Sequence, residues 1–507
     1  MTVALTEYED RRIIQRYVAT ENRAITIAGT VSAGIASVEA RIVQDGTGTE
    51  IVPWTVIDAA PASGLFSGTL TTPQGGWYNI QVRDTNNSTD LYNSIIKIGV
   101  GIIFWVTGQS NAMGFSWLSN TANPIANTSD LSVSWMFNMY QADLTPSDPD
   151  YWADNLPALT FHSPAPVEMA GVPTLANILT SAYGIPVGVV GASRGGSHSN
   201  TWDQQSDTNV IRANAAIDST VDGEFEYILW YQGEQDANSN PTVSTYLAAV
   251  GNVAANLRSG RTNFSTEPEI PFLVNQLSAY ITTGLDAGYN NVREAQRQAE
   301  DTYVSVFMCA TLPDAGIRND NSGDIHINWE GQIKWAERIA QTVKFINGDA
   351  SYYRGPNISN ATPYTQSRIL VNIAHIGGND IQPSTGIIGF RVFDGATEIQ
   401  PSSVERISAQ TVAIELPGNY TSMLTLHYLY GAKIGFVSVS PAEPYGWGYT
   451  AYRNDYCILD DTPLGLPLEP RLNMAVDMSG APIGSPKADL LSMNNFGRQA
   501  LTGTVMS

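Results

Sequence analysis

Four short stretches of this chain combine residue types that acyl transfer needs. Gly108-Gln109-Ser110-Asn111 sets a serine directly after the apolar run at 102–106. A serine in a tight turn at the carboxyl end of a buried strand stands above the sheet, with its hydroxyl and its own N–H facing the crevice. Serine also caps helices, so this stretch alone suits either task. Gly195-Gly196-Ser197 follows the run at 186–192, and adjacent glycines either let a backbone N–H approach a ligand or simply make a turn. Gln232-Gly233-Glu234-Gln235-Asp236 closes the run at 227–231. There the Gln232 amide could donate to a developing negative oxygen, and the two acids read as site groups or as solvated loop acids. Asp324-Ile325-His326 supplies what serine lacks, a base to take its proton and a carboxylate to fix the imidazole tautomer. Of the 5 histidines, His326 alone has an acid two positions before it in a loop after an expected strand. His198, in the glycine loop, is the rival base, and His162, His375 and His427 read as structural.

Strands and helices must bring these stretches together. Apolar runs at 102–106, 186–192, 227–231, 271–275 and 304–310 alternate with three-to-four apolar spacing at 172–182, 242–257, 290–300 and 329–345. Continuous hydrophobic strands alternating with helices predict a parallel sheet covered on both faces, with ligands bound beyond the carboxyl ends of its strands. Period-two pieces at 24–99 predict an antiparallel β-sandwich, preceded at 6–20 by a short helix or an arm. Further strand-like pieces from about 365 to 470 predict a second all-β domain, and 471–507 shows no clear period. The domains expected are therefore 1–99, 100–346 and 347–507.

Composition narrows the partners. The chain has 507 residues, 43% of them hydrophobic and only 15% charged, and its net charge is -22. Such an acidic surface excludes an electrostatic grip on nucleic acid or anionic lipid. The 2 cysteines form no metal-binding pattern, and neither a membrane span nor an ordinary signal peptide is apparent.

In this order, GQSN at 108–111, the Gly195-Gly196-Ser197 loop running to Trp202, QGEQD at 232–236 and DIH at 324–326 resemble the SGNH hydrolases. More narrowly they are similar to the sialate O-acetylesterase and acetylxylan esterase branch, over roughly residues 100–346. The resemblance implies an α/β fold, the SGNH (flavodoxin-like) doubly wound parallel sheet, here flanked by N-terminal and C-terminal all-β sandwich domains. It implies Ser110 as nucleophile, His326 as general base and then acid, and Asp324 as the orienting carboxylate. The oxyanion donors it implies are the backbone N–H of Ser110, that of Gly195 with Gly196 as the alternative, and the side chain of Gln232. Gln109, Asn111, Arg194, Trp202 and Glu234 are expected to bind substrate. Two departures stand out from the wider superfamily: Asp324 lies two rather than three residues before His326, and Gln232 stands where asparagine is usual. Ala112 also replaces the branch's usual methionine.

The activity implied is serine-dependent removal of acetyl groups from sugars or polysaccharides through an acyl-enzyme, with no cofactor and no metal. Trp105, Trp117, Trp202 and Trp230 lie in or beside the four stretches, where aromatic faces would suit sugar rings or fill the core. Arg194 is suited to a sugar carboxylate. The alternative is a glycan-binding adhesin of a virion or cell surface, such as a phage tail-spike module. It draws on the expected β domains on both sides, only five lysines and a Thr-, Asn-, Ser- and Gly-rich surface. Either reading places the chain outside the cell or on a virion, the lack of a signal peptide leaving a cytoplasmic place open. A homo-oligomer, trimeric in a tail spike, belongs to the second.

Overall fold

Uninterrupted apolar runs require cover on both faces, and in this chain five of them become the centre of one sheet. The computed structural model describes residues 3–115, 132–138, 160–162, 170–281, 284–317, 325–433, 437–438, 452–453 and 457–483. Val187–Ser193, Ile98–Gly108, Tyr227–Tyr231, Phe272–Gln276 and Val306–Thr311 lie side by side and parallel, so these five strands take the spatial order 2-1-3-4-5. Every residue in them except Phe307 is buried. Two strands that the sequence pattern did not reveal extend one edge. Ser132–Asn138 runs parallel beside Val187–Ser193, and Thr160–His162 pairs antiparallel with it. Helices Gly171–Tyr183 and Trp329–Ile346 pack together, as do Val243–Arg258 and Asp286–Thr302. Right-handed crossovers put these two pairs on opposite faces of the sheet. A further helix, Thr208–Val221, was not expected.

Ile98–Gly108 is 11 residues long and reaches beyond the parallel region. Its first residues pair with Arg12–Gln15 on one side and with Gly75–Asp84 on the other. The boundary expected at 99/100 therefore falls inside one strand, and the segment at 6–20 is a strand-bearing arm rather than a helix. Val3–Leu5, Asn22–Val31 and Leu65–Pro73 form one small sheet. It packs Ile25, Ile27 and Phe66 against Val38, Ile42, Ile80 and Val82 of the facing strands. Toward the C-terminus two four-stranded sheets form, one of Asn357–Thr365, Arg368–Ala374, Thr411–Glu415 and Ser403–Ser408. The other joins Thr397–Ile399, Phe390–Asp394 and Met423–Tyr428 to Arg471–Asp477, a strand from the part of the chain without a clear period.

Candidate active site

The order 2-1-3 reverses direction at Ile98–Gly108, and a crevice opens where neighbouring connections leave for opposite faces. Three of the four stretches emerge there. Gly108 ends the strand at φ +129°, and a Cβ on it would sit 2.3 Å from Tyr231 O, so only glycine lets the two strand ends lie this close. Gln109 N donates to Tyr231 O at 2.9 Å, and Arg194 N donates to Gly108 O at 2.9 Å, tying the three strand ends together. Ser110 then opens the short helix Ser110–Gly114. Its N–H is in the first turn, where no intrahelical acceptor exists.

His326 arrives from the other side of the crevice, and its Nε2 lies 2.9 Å from Ser110 Oγ. Both residues are partly exposed, so the pair is open to a ligand. The backbone around His326 is held by Asn111, whose Oδ1 accepts from Ile327 N at 3.0 Å and whose Nδ2 donates to Ile325 O at 3.3 Å. Below this clamp, Ile327 forms a β-bridge with Ile317, and Asn328 N donates to Gly316 O at 2.8 Å. Asn328 Oδ1 then accepts from Gly331 N at 2.9 Å, capping helix Trp329–Ile346. Asp324 lies outside the described residues, as does Trp117.

The remaining two loops are buckled to each other. Asp236 Oδ1 accepts from Ser199 Oγ at 2.6 Å, and Oδ2 accepts from Ser199 N at 2.9 Å and from Gln232 Nε2. Gln232 is fully buried, and its amide nitrogen also donates to Ser197 O at 3.0 Å. Both hydrogens of that amide are thus committed within the protein, which corrects the expectation that Gln232 donates to an oxyanion. Gln109 is buried as well, its Oε1 accepting at 3.3 Å from Gln232 Nε2, Gly233 N and Gln235 N. It braces the loops instead of facing the crevice. Gly195 is partly exposed and Gly196 exposed, the latter at φ +67°.

Glu234 is 3% exposed, with Oε1 accepting from Asn111 Nδ2 at 2.6 Å and Oε2 buried with no hydrogen-bond partner among the described residues. Burial pushes its carboxyl up to about 7, against the opposing pull of the Asn111 hydrogen bond. Asn111 and Glu234, expected to bind substrate, instead form a buried pair behind the serine–histidine contact. Trp202 is likewise buried, edge-on to Trp230 at 5.4 Å, and its Nε1 donates to Ser197 Oγ at 3.0 Å. It supports the glycine loop from below and offers no face to a sugar. Trp105 and Trp230 are core residues too. Arg194 is partly buried in the glycine loop. His198 lies 3.9 Å from Asp236 and beside Gln235, so the imidazole that meets the serine is that of His326.

Three buried residues that the sequence did not single out complete the frame. Tyr246 OH donates to Gln232 O and Oε1, both at 2.9 Å, and Gln296 Nε2 donates to Gln232 O at 2.9 Å. Gln332 Nε2 donates to Asn111 O at 3.4 Å. The available signal was a polar group on the core face of a helix, which also arises where the partner is merely structural.

Comparison with known proteins bears on this geometry. Residues 100–344 match the family described as carbohydrate esterase, sialic acid-specific acetylesterase. No curated protein matches the chain. A carbohydrate acetylesterase from Xanthomonas citri is 17% identical, with a TM-score of 0.59 over 92% of this chain and 99% of its own. A protein from Arabidopsis thaliana is 18% identical at a TM-score of 0.33, over 48% of this chain and 97% of its own. A carbohydrate acetylesterase family member from Sinorhizobium meliloti is 13% identical at 0.26, over 34% and 86%. The Xanthomonas likeness shows the fold: an α/β sheet with additional β sheets recurs along nearly the whole of both chains.

Proposed function

We propose that this chain, whose residues 100–344 match the family described as carbohydrate esterase, sialic acid-specific acetylesterase, is a serine-dependent carbohydrate O-acetylesterase. The observation that carries the proposal is the 2.9 Å approach of His326 Nε2 to Ser110 Oγ at the switch point of the sheet. A hydroxyl within reach of a neutral imidazole nitrogen, in a crevice open to solvent, is an activated nucleophile. The 2-1-3-4-5 strand order supports the flavodoxin-like layout of the SGNH hydrolases.

In the first step His326 takes the hydroxyl proton as Ser110 Oγ bonds to the acetyl carbonyl carbon. The tetrahedral oxyanion is received by the backbone N–H groups of Ser110 and Gly195, with Gln232 holding their two loops in place. Collapse breaks the bond to the sugar oxygen, which takes the proton back from His326. Water, deprotonated by His326, then releases acetate and restores Ser110. Asp324 is assigned the part of orienting His326, on its place two residues earlier in the chain.

Acetate release from acetylated xylan and acetylated sialic acid tests the reading. Ser110→Ala and His326→Ala should each lower turnover by about three orders of magnitude or more, because members of such a set act as a unit. A Ser110→Ala protein that kept most of its activity would refute it.

A further inference from the structure

The far end of helix Asp286–Thr302 leaves a cavity of about 290 Å³ against the C-terminal strands. This helix descends from the carboxyl end of Phe272–Gln276 to the amino end of Val306–Thr311. At about 1.5 Å per residue, Arg297 and Asp301 stand roughly 16 Å and 22 Å below its start, toward the amino ends of the parallel strands and away from Ser110. The cavity is therefore separate from the serine–histidine crevice. We propose that it binds a neutral sugar unit of a glycan chain.

Its floor is rigid. Arg354 donates to both carboxylate oxygens of the buried Glu469 at 2.7 and 2.8 Å, and to Glu300 at 2.9 Å. One wall is less fully paired. Arg297 donates to both carboxylate oxygens of Glu294 at 2.7 and 3.2 Å, whereas Arg471 Nη1 stands 3.8 Å from Glu294, beyond a good hydrogen bond. Arg471 Nε is buried and donates to no acceptor among the described residues. A sugar hydroxyl both donates and accepts, so it fits between a loosely paired guanidinium and a carboxylate without stranding either charge.

Asn357 and Ser359 add an amide and a hydroxyl to the lining, while Ile358 and Ile376 give an aliphatic side for the ring's C–H face. The charges decide against an acidic ligand. Arg297, Arg354 and Arg471 are matched by Asp301, Glu469, Glu294 and Glu300, so the surroundings carry no positive excess. The volume is close to the roughly 300 Å³ at which small-ligand pockets begin.

The site does not depend on the proposed reaction, and its test reads binding apart from hydrolysis. The full-length Ser110→Ala protein is titrated calorimetrically with xylohexaose, cellohexaose and mannohexaose, and with trigalacturonic acid as the acidic probe. At least one neutral oligosaccharide should bind, more tightly than trigalacturonic acid. Adding Arg471→Ala, or the exposed substitution Ser359→Trp that fills the cavity, should weaken that binding at least tenfold. The same two substitutions in the native protein should leave hydrolysis of 4-nitrophenyl acetate unchanged. No binding of any neutral probe, tighter binding of the acidic one, equal affinity in both variants or a parallel loss of hydrolysis would each overturn the site. A chain that binds these glycans yet releases no acetate would refute the reaction and leave the site standing.

Discussion

Asn111 spends both ends of its amide on the peptide groups flanking His326, and hands a hydrogen to Glu234 as well. The residue next to Ser110 thus sets where the His326 imidazole sits. Removing the clamp should let the imidazole drift, and a misplacement of about 1 Å is enough to cost roughly a hundredfold in rate. Asn111→Ala is therefore expected to lower kcat on 4-nitrophenyl acetate about 10- to 100-fold with little change in KM. An Asn111→Ala protein with native kcat would show that the backbone bonds of Asn328 and Ile327 suffice to hold the loop.

The short helix Glu234–Asn238 carries a buried carboxylate at its start and a loop-buckling one two residues later. Because burial raises Glu234 from 4.5 to about 7, the folded protein holds a proton there that the unfolded chain releases. The resulting stability is fully present below the unfolded value and is lost as pH rises through the folded one. That loss amounts to at most about 3 kcal/mol. Glu234→Gln should be free of it, so urea denaturation should show the variant gaining on the native protein between pH 5 and pH 8. A constant difference across that range would mean that Glu234 is ionised in the fold throughout. Much of this frame was readable in the chain, since GQSN, the glycine pair, QGEQD and DIH each follow an apolar run whose strand character is local. Side-chain direction was not. Gln109 and Asn111 flank Ser110 and Glu234 lies in the QGEQD stretch, yet tertiary packing turns all three inward, where motif spacing carries no information. Ser132–Asn138 escaped notice because Ser132, Ser134 and Asn138 leave it an apolar run of only three residues, Trp135 to Phe137, shorter than those of its neighbours.

Across the whole molecule, the central sheet is bound to what precedes and follows it. Glu226 is fully buried and accepts from Gln15 at 2.9 Å and from Arg16 at 3.2 Å, both in the N-terminal arm. Arg293 is also buried, with no carboxylate at hydrogen-bond distance among the described residues, and its Nη1 donates to Gly431 O at 2.7 Å. Cutting the chain to 100–346 would sever strand Ile98–Gly108 and leave Glu226 as an unpaired buried charge. Breaking such a pair costs about 3–5 kcal/mol, a large share of the roughly 5–15 kcal/mol that stabilises a typical folded domain. The excised segment should show no cooperative thermal transition by circular dichroism, whereas a sharp native-like melt would show that the α/β sheet stands alone. The proposed chemistry rests on one covalent bond. Rapid acid quenching of the full chain during turnover of 4-nitrophenyl acetate, followed by peptide mass mapping, should find an acetyl group on Ser110 that is absent from Ser110→Ala; acetyl carried by any other residue during turnover would contradict the mechanism.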